Sequence, residues 1–383
     1  MSGERERRAR VALSLLANPG DPVLGAALRT MSASDVLGAT VGSDAEGQAL
    51  LAGQPPDPAL AKAIGRWRAL IPDLPGAGTL AAWQESGLRL IHPGDPEWPT
   101  QLDDLGDTRP LVLWARGDAD LRLSCVNSVS IVGARASTGY GNHVAIEMAA
   151  HLAERGVTIV SGGAYGIDAS AHRGALAAQG VTVAVLAGGL EFGYPRGHSA
   201  MFVTIAANGV LASECRPDRG PTRPGFLIRN RIIAALTRGT VVVEAALRSG
   251  ALNTARHARD LCRPVMAVPG PVTSEQSAGC HELIRDYGAM CVTCGSDVAE
   301  HIALPGSGLS ASPRRGPATA RDMLDPAAAA VLEEVPARGG RGPASIAARA
   351  GVDLDTALRS LGLLAADGFV ERGEQGWRAV KLN

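Results

Sequence analysis

No run of apolar side chains in the 383-residue chain reaches the roughly 18 needed to cross a bilayer. The charged start, MSGERERRAR, is followed by no apolar leader segment, so a cytoplasmic protein with no membrane partner is expected. Cysteine is scarce. Cys125, Cys215, Cys262, Cys280, Cys291 and Cys294 are too few and too scattered for a disulfide scaffold in a chain this long, and they suit a reducing compartment. Lysine is nearly missing: apart from Lys62 and Lys381, Arg supplies the permanent cations, and its planar fork favours bidentate contacts with carboxylates and phosphates. With a formal net charge of -1 there is no global field to attract a polyanion, which would have to be met by local clustering.

Cys291 and Cys294, with Cys280 and His281 upstream, supply four zinc ligands on paper. The segment GAMCVTCGSD reads as a strand, however, and positions three apart on a strand point to opposite faces. Neither a metal nor a cofactor is expected.

What is present falls into blocks, enough for two or three domains. Residues 1–85 are rich in Ala and Leu at helical spacing, with NPGDP breaking one helix and SASD capping the next, so a small helical domain is expected. Residues 86–303 open with two short strand candidates, 88–91 and 111–115, around a loop carrying Trp98. The β-branched runs SVSIVG, VTIVSG, VTVAVLAGG, GVLASE, TVVVEA, PVMAVPG and AMCVTC then alternate with Ala-rich helical stretches. Apolar strands separated by helices predict a doubly wound α/β domain with a mainly parallel sheet covered on both faces. Several runs end in glycine, which puts loops at the carboxyl ends of strands, where open α/β sheets bind ligands. Residues 304–322 have the Pro, Gly, Ser and Arg content of a linker. The last block, 323–383, fits three short helices and a two-stranded wing, the layout of a winged helix.

In VTIVSGGAYGIDASAH a strand runs through Ser161 into Gly162 and Gly163 and out into a helix. Small residues let a ligand approach the backbone and the helix aims free N–H groups at it, although the first glycine of a dinucleotide fingerprint is missing. In IVGARASTGYG, Gly133 is followed by Arg135, which adds a guanidinium to the same rim for a phosphate or, alternatively, for a nearby carboxylate. The loop YPRGH offers Tyr194 to stack a base and Arg196 and His198 to meet a phosphate, unless it is only a packed corner. Residues 216–239 place Arg216, Arg219 and Arg223 in a loop, then Phe226, with Arg229, Asn230 and Arg231 at the opening turn of an apolar helix. Cations there oppose the macrodipole by about 0.3–1 kcal/mol each, so an anion is expected to share the site. Ser249 and Gly250 open a further helix, where Ser249 is either a phosphate ligand or a plain N-cap.

With HPGDPEWPTQL and LVLWARGD before them and VPGPVTSEQSAGCHELI after, the motifs IVGARASTGYG, SGGAYGIDASAH, GGLEFGYP, FLIRNR and VVVEAALRSGALNTA resemble the bacterial DNA-processing protein A (DprA/Smf) family in both content and order. The resemblance covers nearly the whole chain. It implies an extended Rossmann-like core that binds single-stranded DNA, commonly as a dimer. A helical N-terminal domain of the SAM or helix-hairpin kind and a C-terminal winged helix would flank it. It also implies protection of incoming strands during natural transformation and loading of a RecA-type recombinase in place of single-strand binding protein, with no catalytic reaction. Phosphates would be met by Arg135, Arg196, Arg229, Arg231 and the N–H groups around Gly162 and Gly163, with Tyr194 or Phe226 supporting a base. Three positions depart from the family pattern: Leu227 replaces the proline of FPxRNR, and His198 and His281 stand where asparagines are typical.

Two other classes share such a core. A nucleotide hydrolase of the lysine-decarboxylase-like or phosphoribohydrolase kind would carry Pro-Gly-Gly-x-Gly-Thr before its catalytic Glu; VPGPVT has the first two residues only, and Glu244 precedes its Ser-Gly turn. Asp168 and His172 would be its acid and base, against an ordinary dipole-stabilising Asp. A NAD-dependent oxidoreductase would want an acid where Ser161 stands. In the last block, Asp353, Asp355 and Asp367 against Arg359 make a poor face for a phosphate backbone, so protein contact is expected there.

Overall fold

The computed structural model describes residues 2–43, 57–303 and 320–380. The chain divides into two compact units, Met1–Ala311 and Ser312–Asn383. The segment read as a linker, 304–322, lies mostly outside the described residues.

In the first unit, helices begin where capping chemistry permits. Helix α1 (Ser2–Leu16) stops ahead of Asn18-Pro19-Gly20, and α2 (Pro22–Ala27) starts on Asp21, whose carboxylate accepts from the N–H groups of Val23 and Leu24. Helices α3 (Ala33–Val41) and α4 (Pro58–Ala69) are capped in the same way by Ser32 and Asp57, and α5 (Ala77–Glu85) follows. Leu13, Leu24, Val36, Ala63 and Trp67 are buried together in this helical layer.

Strands β1 (Arg89–Ile91) and β2 (Leu113–Arg116) flank a 3-10 segment, Thr100–Thr108, and lead through α6 (Leu121–Val126) into a long alternation. It runs β3 (Ser128–Val132), α7 (Gly139–Ala153), β4 (Thr158–Ser161), α8 (Ile167–Ala177), β5 (Thr182–Val185), α9 (Ser199–Asn208) and β6 (Val210–Ser213). It continues with α10 (Arg223–Leu236), β7 (Thr240–Val242), α11 (Gly250–Asp260), β8 (Val265–Ala267), α12 (Glu275–Tyr287), β9 (Met290–Cys291) and α13 (Gly295–Ile302). Among the described residues these strands form one sheet in the order β1-β2-β6-β5-β4-β3-β7-β8-β9. All neighbours from β6 to β9 are parallel, and only β2 runs against both of its neighbours. Every residue of β3, β4 and β5 is buried, as continuous apolar runs require of a sheet covered on both faces.

This is the doubly wound α/β architecture expected from the alternation. The chain moves outward from β3 through β4, β5 and β6, then returns to lay β7 on the other side of β3. The β3/β7 boundary is therefore the topological switch point, where loops leave in opposite directions and open a crevice at the carboxyl ends of the strands.

The second unit contains α14 (Pro326–Glu334), α15 (Pro343–Ala350) and α16 (Leu354–Ala366), followed by an antiparallel hairpin of β10 (Val370–Gly373) and β11 (Gly376–Ala379). Val331, Ile346, Leu361, Leu364 and Phe369 fill its own small core. No helix among the described residues is long and apolar enough to cross a membrane.

Candidate nucleic-acid interface

The switch-point crevice is a trough of about 500 Å³, walled by the loop after β3, the turn after β4, α10 and the start of α11. Its β3 loop is pinned from behind. The Ala134 N–H donates to the Glu244 carbonyl at 2.7 Å, and the buried Glu244 carboxylate accepts both the N–H (2.9 Å) and the hydroxyl of Thr138, which caps α7. Gly133 lines the trough and also lets β3 pack closely on α8, since a Cβ there would stand 2.6 Å from Ile167. Held out by this loop, Arg135 is exposed, has no carboxylate partner among the described residues and lies 4.4 Å over the ring of Phe226. Phe226 in turn meets Tyr194 edge-on at 5.8 Å. Residues from three separate motifs thus form one cation–aromatic rim, with Tyr194 46% exposed at its end. Arg196, on the Tyr194 loop, and Arg223, at the trough wall, are also exposed and have no ion-pair partner among the described residues.

The glycine turn after β4 holds an anion of its own. The Asp168 carboxylate accepts the N–H groups of Gly162 (3.2 Å) and Ala164 (3.4 Å). Burial raises its pKa, while the nearby Arg229 and those N–H bonds oppose the rise. The Gly162 N–H expected to meet a phosphate is therefore already used. Ser161 is also withdrawn from the site, being fully buried with its hydroxyl donating to the Ile131 carbonyl at 2.7 Å. The Gly163 carbonyl accepts from His198 Nδ1 at 3.0 Å. His198, 5% exposed and edge-on to Tyr165, thus braces the turn and does not face a phosphate, which corrects its expected role.

Asp168 and His172 do not form an acid–base pair. The fully buried His172 ring donates from Nδ1 to the Thr182 hydroxyl (2.7 Å), whose own proton goes to the Ile159 carbonyl. Burial pushes its pKa down to about 3. The pairing on which the hydrolase reading rests is absent.

Helix α10 starts earlier than its apolar run suggests, since Thr222 accepts the Gly225 N–H as N-cap and Pro224 sits in the first turn. Arg229, Asn230 and Arg231 consequently lie inside the helix, and the macrodipole gives no reason for an anion beside them. Arg229 donates to the carbonyls of Gly162 (2.7 Å) and Val185, tying the ends of β4 and β5 under the trough. Burial lowers its pKa to about 10, with Asp168 supporting the charged form. Asn230, also on the trough wall, donates to the Gly250 carbonyl (3.2 Å) and Asn253 Oδ1 (3.3 Å). Arg231 does not reach the trough: it is 4% exposed and bonded to Glu214 at 2.7 and 2.9 Å, which corrects its expected phosphate contact. Arg216 is similarly held by Asp218 at 2.6 Å. Ser249 accepts the Ala251 N–H at 3.2 Å as the N-cap of α11, and both Ser249 and the exposed Gly250 lie on the trough wall.

Asp168 thus lines the trough, and Thr138 and Glu244 brace its β3 loop, without being expected as contacts. A threonine two residues before Tyr140-Gly141 is a legible cap signal, but a buried acid at a strand end leaves no local pattern. Near the far edge, β9 ends at Cys291 and Cys294 precedes α13; among the described residues no three metal-ligating side chains cluster.

An open crevice at a Rossmann-type switch point, rimmed by a guanidinium with no carboxylate partner among the described residues, places the chain among doubly wound α/β proteins. The family described as DNA recombination-mediator protein A matches residues 89–303. A DNA processing protein DprA of Mycobacterium tuberculosis is 46% identical over 316 residues, 80% of each chain. The X-ray structure of DNA processing protein A from Streptococcus pneumoniae has 30% identity and a TM-score of 0.58, covering 70% of this chain and 96% of its own. That of DNA processing protein A from Helicobacter pylori, described for its single-stranded DNA binding mode, has 30% identity and a TM-score of 0.50, covering 56% and 94%. This chain belongs to the DprA/Smf family of DNA-processing recombination mediators.

Proposed function

We propose that this chain binds single-stranded DNA across the switch-point trough, shields it, and hands it to a RecA-type recombinase in place of single-strand binding protein. It works as a homodimer in the cytoplasm, in natural transformation and homologous recombination. The observation that carries this reading is the rim of Arg135, Phe226 and Tyr194, a free cation beside aromatic faces. Such a rim pairs a phosphate and supports a base without reading its identity. Arg196 and Arg223 extend the same charge along the trough. The family's role as recombination mediator and the single-stranded DNA bound by the H. pylori relative support it further.

The C-terminal unit is read as a winged helix used for protein contact. Residues 320–380 carry nine acidic against seven basic side chains, and Arg321, Arg341, Arg349 and Arg378 are each paired with a glutamate. That balance is unsuited to a phosphate backbone.

Titrating salt against binding to single-stranded and duplex oligonucleotides tests the function. The single strand is expected to bind more tightly, with log affinity falling linearly in log salt. Equal affinity for the duplex, or no salt dependence, would overturn the reading.

A further inference from the structure

The trough uses one side of α10 and leaves Arg231, on the other side, without a part in it. Replacing a buried ion pair by apolar residues is often neutral or stabilising, so stability alone is weak grounds for Arg231–Glu214. What the pair does is gather separate segments. Glu214, just past β6, also accepts the Gly20 N–H at 3.0 Å, from the loop joining α1 to α2. Gly20 has φ +66 and a Cβ there would stand 2.9 Å from Arg231 Nε, so this loop closes directly on the guanidinium. Arg231 Nε donates to the Thr108 carbonyl at 2.9 Å, at the end of the segment against which Gly25 of α2 packs through the Asp107 backbone. Within about a turn and a half on the same helix, Phe226, Arg229 and Asn230 form rim and wall of the trough.

We infer that Arg231 and Glu214 are a latch through which the N-terminal helices set the position of the DNA-facing side of α10, so that loosening the α1–α2 loop weakens the grip on single-stranded DNA. Arg231 is a positioning residue, acting through Arg229 and Asn230 on one rigid helix. The inference rests on the proposed single-stranded DNA site and adds a control point outside it. A partner that pulls on the α1–α2 loop lowers DNA affinity without covering the trough.

The test compares the full chain with Gly20→Ala, Glu214→Gln and Arg135→Ala. Anisotropy of a labelled oligo-dT is read across a salt series, thermal melts verify folding, and the ¹⁵N signals of the arginine Nε–H groups are recorded without DNA. The Gly20→Ala and Glu214→Gln variants are expected to weaken binding about tenfold, a usual size for coupling between sites. Their salt slope should stay unchanged because no phosphate contact is lost, and the Arg229 signal should move. Arg135→Ala should instead lower the slope. The two latch variants act from opposite ends, so if one fails to fold the other decides. Unchanged affinity in a folded latch variant overturns the inference, as does a lowered slope, which would put Arg231 on the phosphates. Should the unaltered chain bind no single strand, the proposed function falls, and the Arg229 signal alone decides the latch: movement supports it and a fixed signal overturns it.

Discussion

Arg229 and Arg231 stand two apart in one motif and do different work, because each helical step turns the side chain by about 100°. One ties strand ends beneath the trough; the other is locked to Glu214. Removing them separates the roles. Arg231→Ala leaves Glu214 buried and unpaired, and is expected to cost about 3–5 kcal/mol in urea unfolding. Arg135→Ala, at an exposed stacked position, should cost less than about 1 kcal/mol while lowering the single-strand salt slope by about 0.7. A shifted unfolding midpoint with an unchanged slope would remove Arg135 from the phosphates. That this motif matters was legible in its charge. Which arginine lies on the trough side was not, since the start of α10 is fixed by Thr222 and Pro224 within a stretch whose Gly and Pro read as loop.

At the level of elements, the strands of the core were readable because buried parallel strands are unbroken apolar runs, and each of the seven runs contains one. The turn after β4 was readable as an anion cradle and wrong in its occupant, since Asp168 fills it from the helix that follows. Sequence spacing cannot separate a carboxylate supplied by the chain from one supplied by a ligand. Beneath this turn His172 is held neutral, its folded pKa of about 3 lying below the ordinary 6.5. The unfolded chain therefore takes the proton first, so the stabilisation is full above pH 6.5 and drains away as pH falls toward 3. The loss between pH 7 and pH 5 is about 2 kcal/mol. Urea midpoints at these two pH values should show this, and His172→Gln should flatten the difference; an equal drop in the variant would assign the acid sensitivity elsewhere.

For the whole molecule, the two compact units differ in surface chemistry: the arginines of the trough that have no ion-pair partner among the described residues belong to the first, and residues 320–380 of the second carry more acid than base. Ending the chain after residue 319 is accordingly expected to leave single-strand affinity within about twofold and duplex binding unchanged. A large loss of either would give the second unit a nucleic-acid role that its charge does not suggest. The alternation of strands and helices made the class of fold legible, but the sheet's far side was not. β1 and β2 precede the alternation in the chain yet pair beyond it, through β2 and β6, with Trp114 opposite Ser213. Partners that distant leave no periodic trace.

Synthesis from the amino end delivers the β1–β2 ribbon well before the strand it leans on. Until Val210–Ser213 emerge from the ribosome, Leu113 and Trp114 have no finished floor beneath them, and closing so long a span is slow. Stalled nascent chains ending ahead of β6 should be nicked by mild protease within 89–116, whereas those released past it should resist.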